Sequence, residues 1–248
     1  MTRWLFATMV FCWAVPAMAA GWGSVEGQFI LEGDVPDVPP LVREGDPTVK
    51  DAAVCAAEPV PNDAMAFNPE SKGIGNIVVF MRRAPEVHPD LKSSPEKEVV
   101  FDQKGCRYLP HVLIVRTDQN VVCKSSDSVS HNVHTQPFAN TSQNFIVNPN
   151  DQTGVQVQMP IAESIPVQVK CDIHPHMQAW WIVVNHPYAA VTDKDGKFKI
   201  ENLPEGDHEF IVWHELAGYI NRKFKVSVKD GETTKVEAVE VPLASFKK

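Results

Sequence analysis

Long hydrophobic runs are almost missing from this chain of 248 residues. The one near its start, Leu5 to Val15, falls short of the about 20 apolar residues that a membrane span needs. It follows Arg3 and precedes Ala17-Met18-Ala19, a small-x-small cleavage pattern, so residues 1–19 read as a secretory signal peptide, with an uncleaved anchor as the alternative. Nothing later reaches span length, and the mature chain is expected to be soluble, without a membrane span, and periplasmic or secreted. Positive charge is also short: 23 Lys and Arg against 31 Asp and Glu leave a net charge of −8. That balance argues against nucleic acid or an anionic membrane as partner, because phosphate binding relies on clustered cations. It is compatible with a basic patch on a protein partner, and it serves solubility in any case. Familiar catalytic signatures are absent: there is no Gly-rich phosphate loop, no His-Glu-x-x-His and no Gly-x-Ser-x-Gly.

What is present is β-structure. Ser24 to Glu32 alternates and meets a turn at Gly33, and Gly75 to Met81 is a continuous apolar run suited to a buried strand. Residues 41–72 have no period and read as a long loop with room for one helical turn, which needs pinning at such a length. The charged, Pro-containing stretch up to Lys97 reads as a surface linker. Short strands then recur around Val99, Val112, Val121, Phe145, Val155 and Val167, without helical periodicity, as in a sandwich or barrel. Beyond His186 the texture changes. Ala190 to Ile200 reads as a hairpin about Asp195-Gly196, Leu203 to Gly206 as a second turn, and Thr234 to Val241 as a single last strand. The expected class is all-β.

The chemistry concentrates in Lys170-Cys171-Asp172-Ile173-His174-Pro175-His176-Met177, where a thiolate, an imidazole and a thioether fall within seven residues at the end of an apolar, alternating strand. Pro175 bends the chain and Trp181 to Val184 carries it away. A Cys sulfur, two His nitrogens and a weak Met sulfur are the donors of an electron-transfer copper site. The loop supplies Cys171, His174 and Met177, and His131 in Ser130-His131-Asn132-Val133-His134 can supply the second imidazole. Zinc is the chief rival, although methionine suits it poorly. With all four positions taken by protein, electron transfer fits better than turnover, since catalytic metals keep an open position.

These two blocks resemble the cupredoxins, the blue-copper proteins, and within them the amicyanin type, over roughly Val99 to Asn185. The resemblance implies a Greek-key sandwich binding one type 1 copper through His131, Cys171, His174 and Met177, with His134 a neighbour that does not bind. It allows His174 to detach on protonation in the reduced state. His176 stands where that family carries another aromatic. On the loop, His174 is expected to be the ligand nearest solvent and the electron's exit, while Asn132 is placed to hydrogen-bond across to the Cys171 loop.

A second resemblance covers Thr192 to Gly206, whose Thr-Asp-x-x-Gly-x-Phe-x-Ile-x-Asn-Leu-Pro-x-Gly pattern is similar to the carboxypeptidase regulatory-like sandwich. The strands near Ser24 and Ile77 resemble the opening of the same fold. The expected organisation is therefore a signal peptide at 1–19, the first part of a regulatory-like sandwich with an irregular loop at 22–97, a cupredoxin-like domain at 98–186 inserted into it, and the remainder at 187–248. A tandem order is the alternative.

Four cysteines follow the leader, in a compartment that permits disulfides. With Cys171 on copper only one bridge can form. Cys55 and Cys106 are the choice, because Cys123 sits in an apolar strand as a small buried residue; sequence alone leaves connectivity open. The expected function is single-electron transfer between redox proteins such as a periplasmic dehydrogenase and a cytochrome c, without catalysis. The alternatives are a copper carrier without redox turnover and a metal-free surface module binding through Trp180, Trp181 and Trp213. A second metal site among His111, His134, His176 and His186 is conceivable, though no spacing supports it.

Overall fold

Three apolar runs set the architecture. Ile77 to Met81, Trp181 to Val184 and Phe210 to Trp213 are buried at every position, so each strand must be covered on both faces rather than on one. In the computed structural model, which describes residues 21–246, they are the strands where two sandwiches meet. The expected signal peptide, residues 1–19, lies outside the described residues.

In chain order the strands are β1 (Trp22–Glu32), β2 (Val78–Phe80), β3 (Glu98–Gln103), β4 (Tyr108–Leu109), β5 (Val112–Arg116), β6 (Asn120–Cys123), β7 (His131–Gln136), β8 (Asn144–Val147) and β9 (Val155–Gln158). They continue with β10 (Val167–Lys170), β11 (Gln178–Val184), β12 (Ala189–Val191), β13 (Lys197–Pro204), β14 (Gly206–His214), β15 (Gly218–Val228), β16 (Thr233–Lys235) and β17 (Val239–Pro242). One α-helical turn, α1 (Ala52–Cys55), and a 3-10 turn, Asp63–Met65, lie in the long segment after β1. The class is all-β, as the alternation predicts.

The strands form four sheets, ordered β13-β1-β16 with β17 also on β1, β12-β2-β14-β15, β5-β11-β10-β7-β8 and β4-β3-β6-β9. The first two enclose a core that includes Phe29, Ile77, Val79, Phe198, Phe210 and Val212. The last two enclose another, with Phe101, Tyr108, Val133, Val169 and Trp181. The outer faces of β2 and β14 (Val78, Phe80, Ile211, Trp213) pack on those of β5 and β11 (Val112, Ile182, Val184), which accounts for the doubly buried runs. Strands β3 to β11 all fall between β2 and β12 in the chain, and β2 and β12 pair antiparallel, Val79 opposite Ala190.

Two sequence expectations are corrected. The turn at Asp195-Gly196 forms, with Gly196 at φ 74°, where a Cβ would lie 2.0 Å from the Phe29 carbonyl. Its flanking strands are not a hairpin: β12 pairs with β2 and β13 with β1, so the chain crosses between sheets at that turn. The final segment is two short strands, each parallel to β1, rather than one.

No helix among the described residues is long and apolar enough to cross a membrane.

Candidate metal centre

Strands β10 and β11 pair antiparallel from Val167 opposite Trp181 to Lys170 opposite Gln178, leaving residues 171–177 as the loop that closes them. The loop folds on itself: Cys171 N donates to the Met177 carbonyl (3.1 Å), Met177 N to the His174 carbonyl (2.9 Å), and His174 N to Cys171 Sγ (3.3 Å). Beside it, β7 pairs with β10 and presents His131 at its start.

The structure brings His131, Cys171 and His174 together, with one donor atom of each within 4.8 Å of the others and all three buried. The two Nδ1 atoms are 3.0 Å apart, and His174 Nδ1 is 3.9 Å from Cys171 Sγ. An ion bonded at about 2.0 Å to each nitrogen and about 2.3 Å to sulfur spans separations of this size. Met177 is buried in the same core at 1% exposure, its backbone closing the loop. Asn132 ties β7 to the Cys171 loop: its Oδ1 accepts from Asp172 N (2.7 Å), and its backbone N points at Cys171 Sγ (3.5 Å). His134 is outside the cluster, its Nδ1 paired with Asp172 Oδ2 at 2.9 Å.

The electrostatics favour an ionised sulfur. Burial opposes a thiolate at Cys171, but the His131 and His174 rings and the amides of Asn132 and His174 outweigh it, and the thiol is brought down to about 6. Burial opposes charge on His131 as well; Asp127 and Cys171 overcome it and push the ring up to about 9. The surroundings thus favour negative charge on the sulfur and positive charge on the His131 ring, and a bound cation would compete with protons for these donors.

Two carboxylates escaped the sequence reading. His131 Nε2 lies 2.8 Å from Asp127 Oδ2, and His174 Nε2 lies 3.0 Å from Asp51 Oδ2. Asp127 sits four residues before His131, a local signal that could have been read. Asp51 is 123 residues from His174, and nothing local marks it. Its contact overturns the expectation that His174 is the exposed ligand: the side chain is 0% exposed, because the segment after β1 lies over it. That segment is pinned by the Cys55–Cys106 disulfide, Cα atoms 5.1 Å apart.

Cys123 is a free, buried thiol whose burial pushes it up to about 12. Among the described residues a second cluster, Cys106, Asp127 and His131, cannot offer a thiolate, since the Cys106 sulfur is in the disulfide. The histidines considered for a second site go elsewhere: His111 pairs with Glu215, His134 with Asp172, and His186 with the Met81 carbonyl, while His176 borders a cavity of about 290 Å³ with Met177 and Arg107. The tryptophan stripe is not a surface. Trp181 is 0% exposed and Trp213 6%, and the Trp180 and Trp213 rings pack edge to face at 5.0 Å.

No protein-family model matches the chain, and no curated protein matches it in sequence. Among solved structures, an amicyanin from Paracoccus versutus is similar at 16% identity and TM-score 0.31, over 42% of this chain and 96% of that one. A purple cupredoxin from Nitrosopumilus maritimus is similar at 17% identity and TM-score 0.28, over 36% and 99%. A copper-containing nitrite reductase from Thermus scotoductus is similar at 18% identity and TM-score 0.27, over 35% of this chain and 22% of that one. The donor geometry described above stands independently of these likenesses.

Proposed function

We propose that this is an exported type 1 copper protein that carries single electrons between redox partners such as a periplasmic dehydrogenase and a cytochrome c, with a cupredoxin-like domain, residues 98–186, inserted in a regulatory-like sandwich. The observation that carries the reading is the meeting of His131 Nδ1, His174 Nδ1 and Cys171 Sγ in one buried place. Cys171, His131 and His174 would hold the copper, with Met177 the weak fourth donor. A bound copper supplies a one-electron couple that thiolate and imidazole donors support in both states.

The protein's own part is to hold the donors still. The amides of Asn132 and His174 stabilise the Cys171 sulfur as thiolate, and the Asn132 carboxamide locks β7 to the loop. Asp127 and Asp51 hold the outer nitrogens, so both rings turn Nδ1 inward. Donors fixed before and after the electron moves keep the rearrangement small. Copper-loaded protein should show an intense thiolate-to-copper absorption in the visible range that Cys171→Ser abolishes. A colourless loaded sample, or a serine variant holding copper as well as the parent, would sink the reading.

The burial of His174 favours a second reading, a copper carrier without redox turnover. Cyclic voltammetry separates the two, since a carrier gives a sluggish, irreversible response.

A further inference from the structure

The segment between β1 and β2 is a folded arm with its own small core. Val42, Ala56 and Val60 are buried together. Leu41 N donates to the Val60 carbonyl (2.8 Å), Val60 N to the Val42 carbonyl (2.9 Å), and Gly45 N to the Ala56 carbonyl (2.7 Å). Three ties hold this arm over the ligand loop. One is the Cys55–Cys106 disulfide. Another is the pairing of Arg107 with Asp63, Nη2 to Oδ1 at 2.7 Å and Nε to Oδ2 at 3.0 Å. The third is Asp51 itself, at the N-terminal boundary of α1 with φ 55°, a backbone that Asp and Asn tolerate better than most residues.

The ties form one circuit. Asp127, on His131, also accepts from Gly105 N (2.7 Å) and Cys106 N (2.8 Å). Cys106 is bonded to Cys55, which ends the helical turn that Asp51 begins, and Asp51 reaches His174. The same disulfide thus anchors the carboxylates behind both imidazoles.

We propose that Asp51 is a positioning residue for the metal centre, delivered by the disulfide-tethered arm to hold the His174 ring with Nδ1 inward and to close its outer edge to solvent and to a docking protein. The inference rests on the copper reading. A carboxylate behind a ligating imidazole fixes the tautomer and strengthens the donor, and removing such a partner typically costs 10–100-fold in metal affinity. The approach to His174 then lies across the arm, so a partner must recognise the arm's surface or wait for it to lift.

The experiment uses the full mature chain loaded with copper. After reduction, an excess of a coloured copper(I) chelator is added and the rate of copper transfer is followed for the parent, Asp51→Ala and Asp46→Ala. Asp46 is a partly exposed acid of the same arm whose side chain hydrogen-bonds only within it, to Thr48. Asp51→Ala should release copper at least about tenfold faster, with Asp46→Ala within about twofold of the parent. Asp51→Asn, which keeps the backbone preference and removes only the charge, should move the midpoint potential upward, a change that simple loosening of the arm does not require. Release from Asp51→Ala at the parental rate, equal acceleration in both alanine variants, or an unmoved potential in Asp51→Asn overturns the role of Asp51 while leaving the copper site in place. A parent that takes up no copper overturns both.

Discussion

Asn132 serves both sides of the cleft between β7 and the ligand loop. Its carboxamide oxygen accepts from Asp172 N, its carboxamide nitrogen reaches Asn144 Oδ1 (2.9 Å), and its carbonyl accepts the Tyr108 hydroxyl. It is 3% exposed, and Asn132→Ala leaves the part-buried Asp172 N without its partner while the backbone carbonyl that takes the Tyr108 hydroxyl remains. An unmet buried group costs about 1–3 kcal/mol. The variant should therefore lose about that much stability by urea unfolding, and, on the copper reading proposed, the visible band of copper-loaded protein should shift as the loop loosens from β7. Unchanged stability together with an unchanged band would show that Asn132 links nothing. Tyr108 is a related case: burial, with Cys171 close by, pushes its phenol well above the ordinary range, so it stays a neutral donor at any working pH.

At the scale of elements, the arm forms the helical turn and the bridge expected of it, and its contact with His174 is the unexpected part. The disulfide closes a separation of 51 residues, and releasing a loop of that length from the cross-link costs about 4 kcal/mol by the chain-entropy relation. Replacing both Cys55 and Cys106 by alanine should lower the unfolding free energy by about that amount. It should also admit water to His174, read as faster hydrogen exchange at the arm's amides. If exchange stays slow, the ion pair of Arg107 with Asp63 and the arm's small core suffice to hold it.

The contrast between loop and arm explains what could be read in advance. Residues 171–177 carry three donors in one turn after an alternating strand, so periodicity and donor chemistry coincide locally. His131 was legible because a second His-bearing block stands on an earlier strand. Asp51 was not, since it lies in a stretch without period and reaches its target only through tertiary packing. The failed hairpin at Asp195-Gly196 has a similar cause. The turn is local and was legible, but the choice of sheet for β12 and β13 depends on β2 and β1, far away in the chain. Likewise the run Ile77 to Met81 announced burial without saying that a second sandwich supplies the other cover.

For the molecule as a whole, two buried histidines contribute to the loss of stability between about pH 6.5 and pH 4; His131, raised to about 9, acts with the opposite sign and only above about pH 6.5. Burial brings both His186 and His214 down to about 4 from an ordinary 6.5, and each is 1% exposed. The unfolded chain takes up protons on these rings as pH falls below about 6.5, and the folded chain resists until about 4. Stability fully present above 6.5 is thus withdrawn between those values, by at most about 3 kcal/mol per ring. The depressed Cys171 thiol acts in the same direction as pH falls from about 9 to about 6, which overlaps the range of interest, so the measurement belongs in a Cys171→Ser background. There the urea midpoint should fall between pH 7 and pH 5, and His186→Gln with His214→Gln should flatten the decline. A midpoint level across that range in the background protein would refute the assignment.

The earliest described strand, β1, finds its partners in β13, β16 and β17, close to the far end of the chain. During synthesis or threading through a pore, β1 must therefore wait for nearly every later residue to emerge. Strands β3 to β11 complete their pairings among themselves long before that. The donor cluster can assemble once about three-quarters of the chain, as far as Val184, has emerged, and the outer shell is the last part to shut.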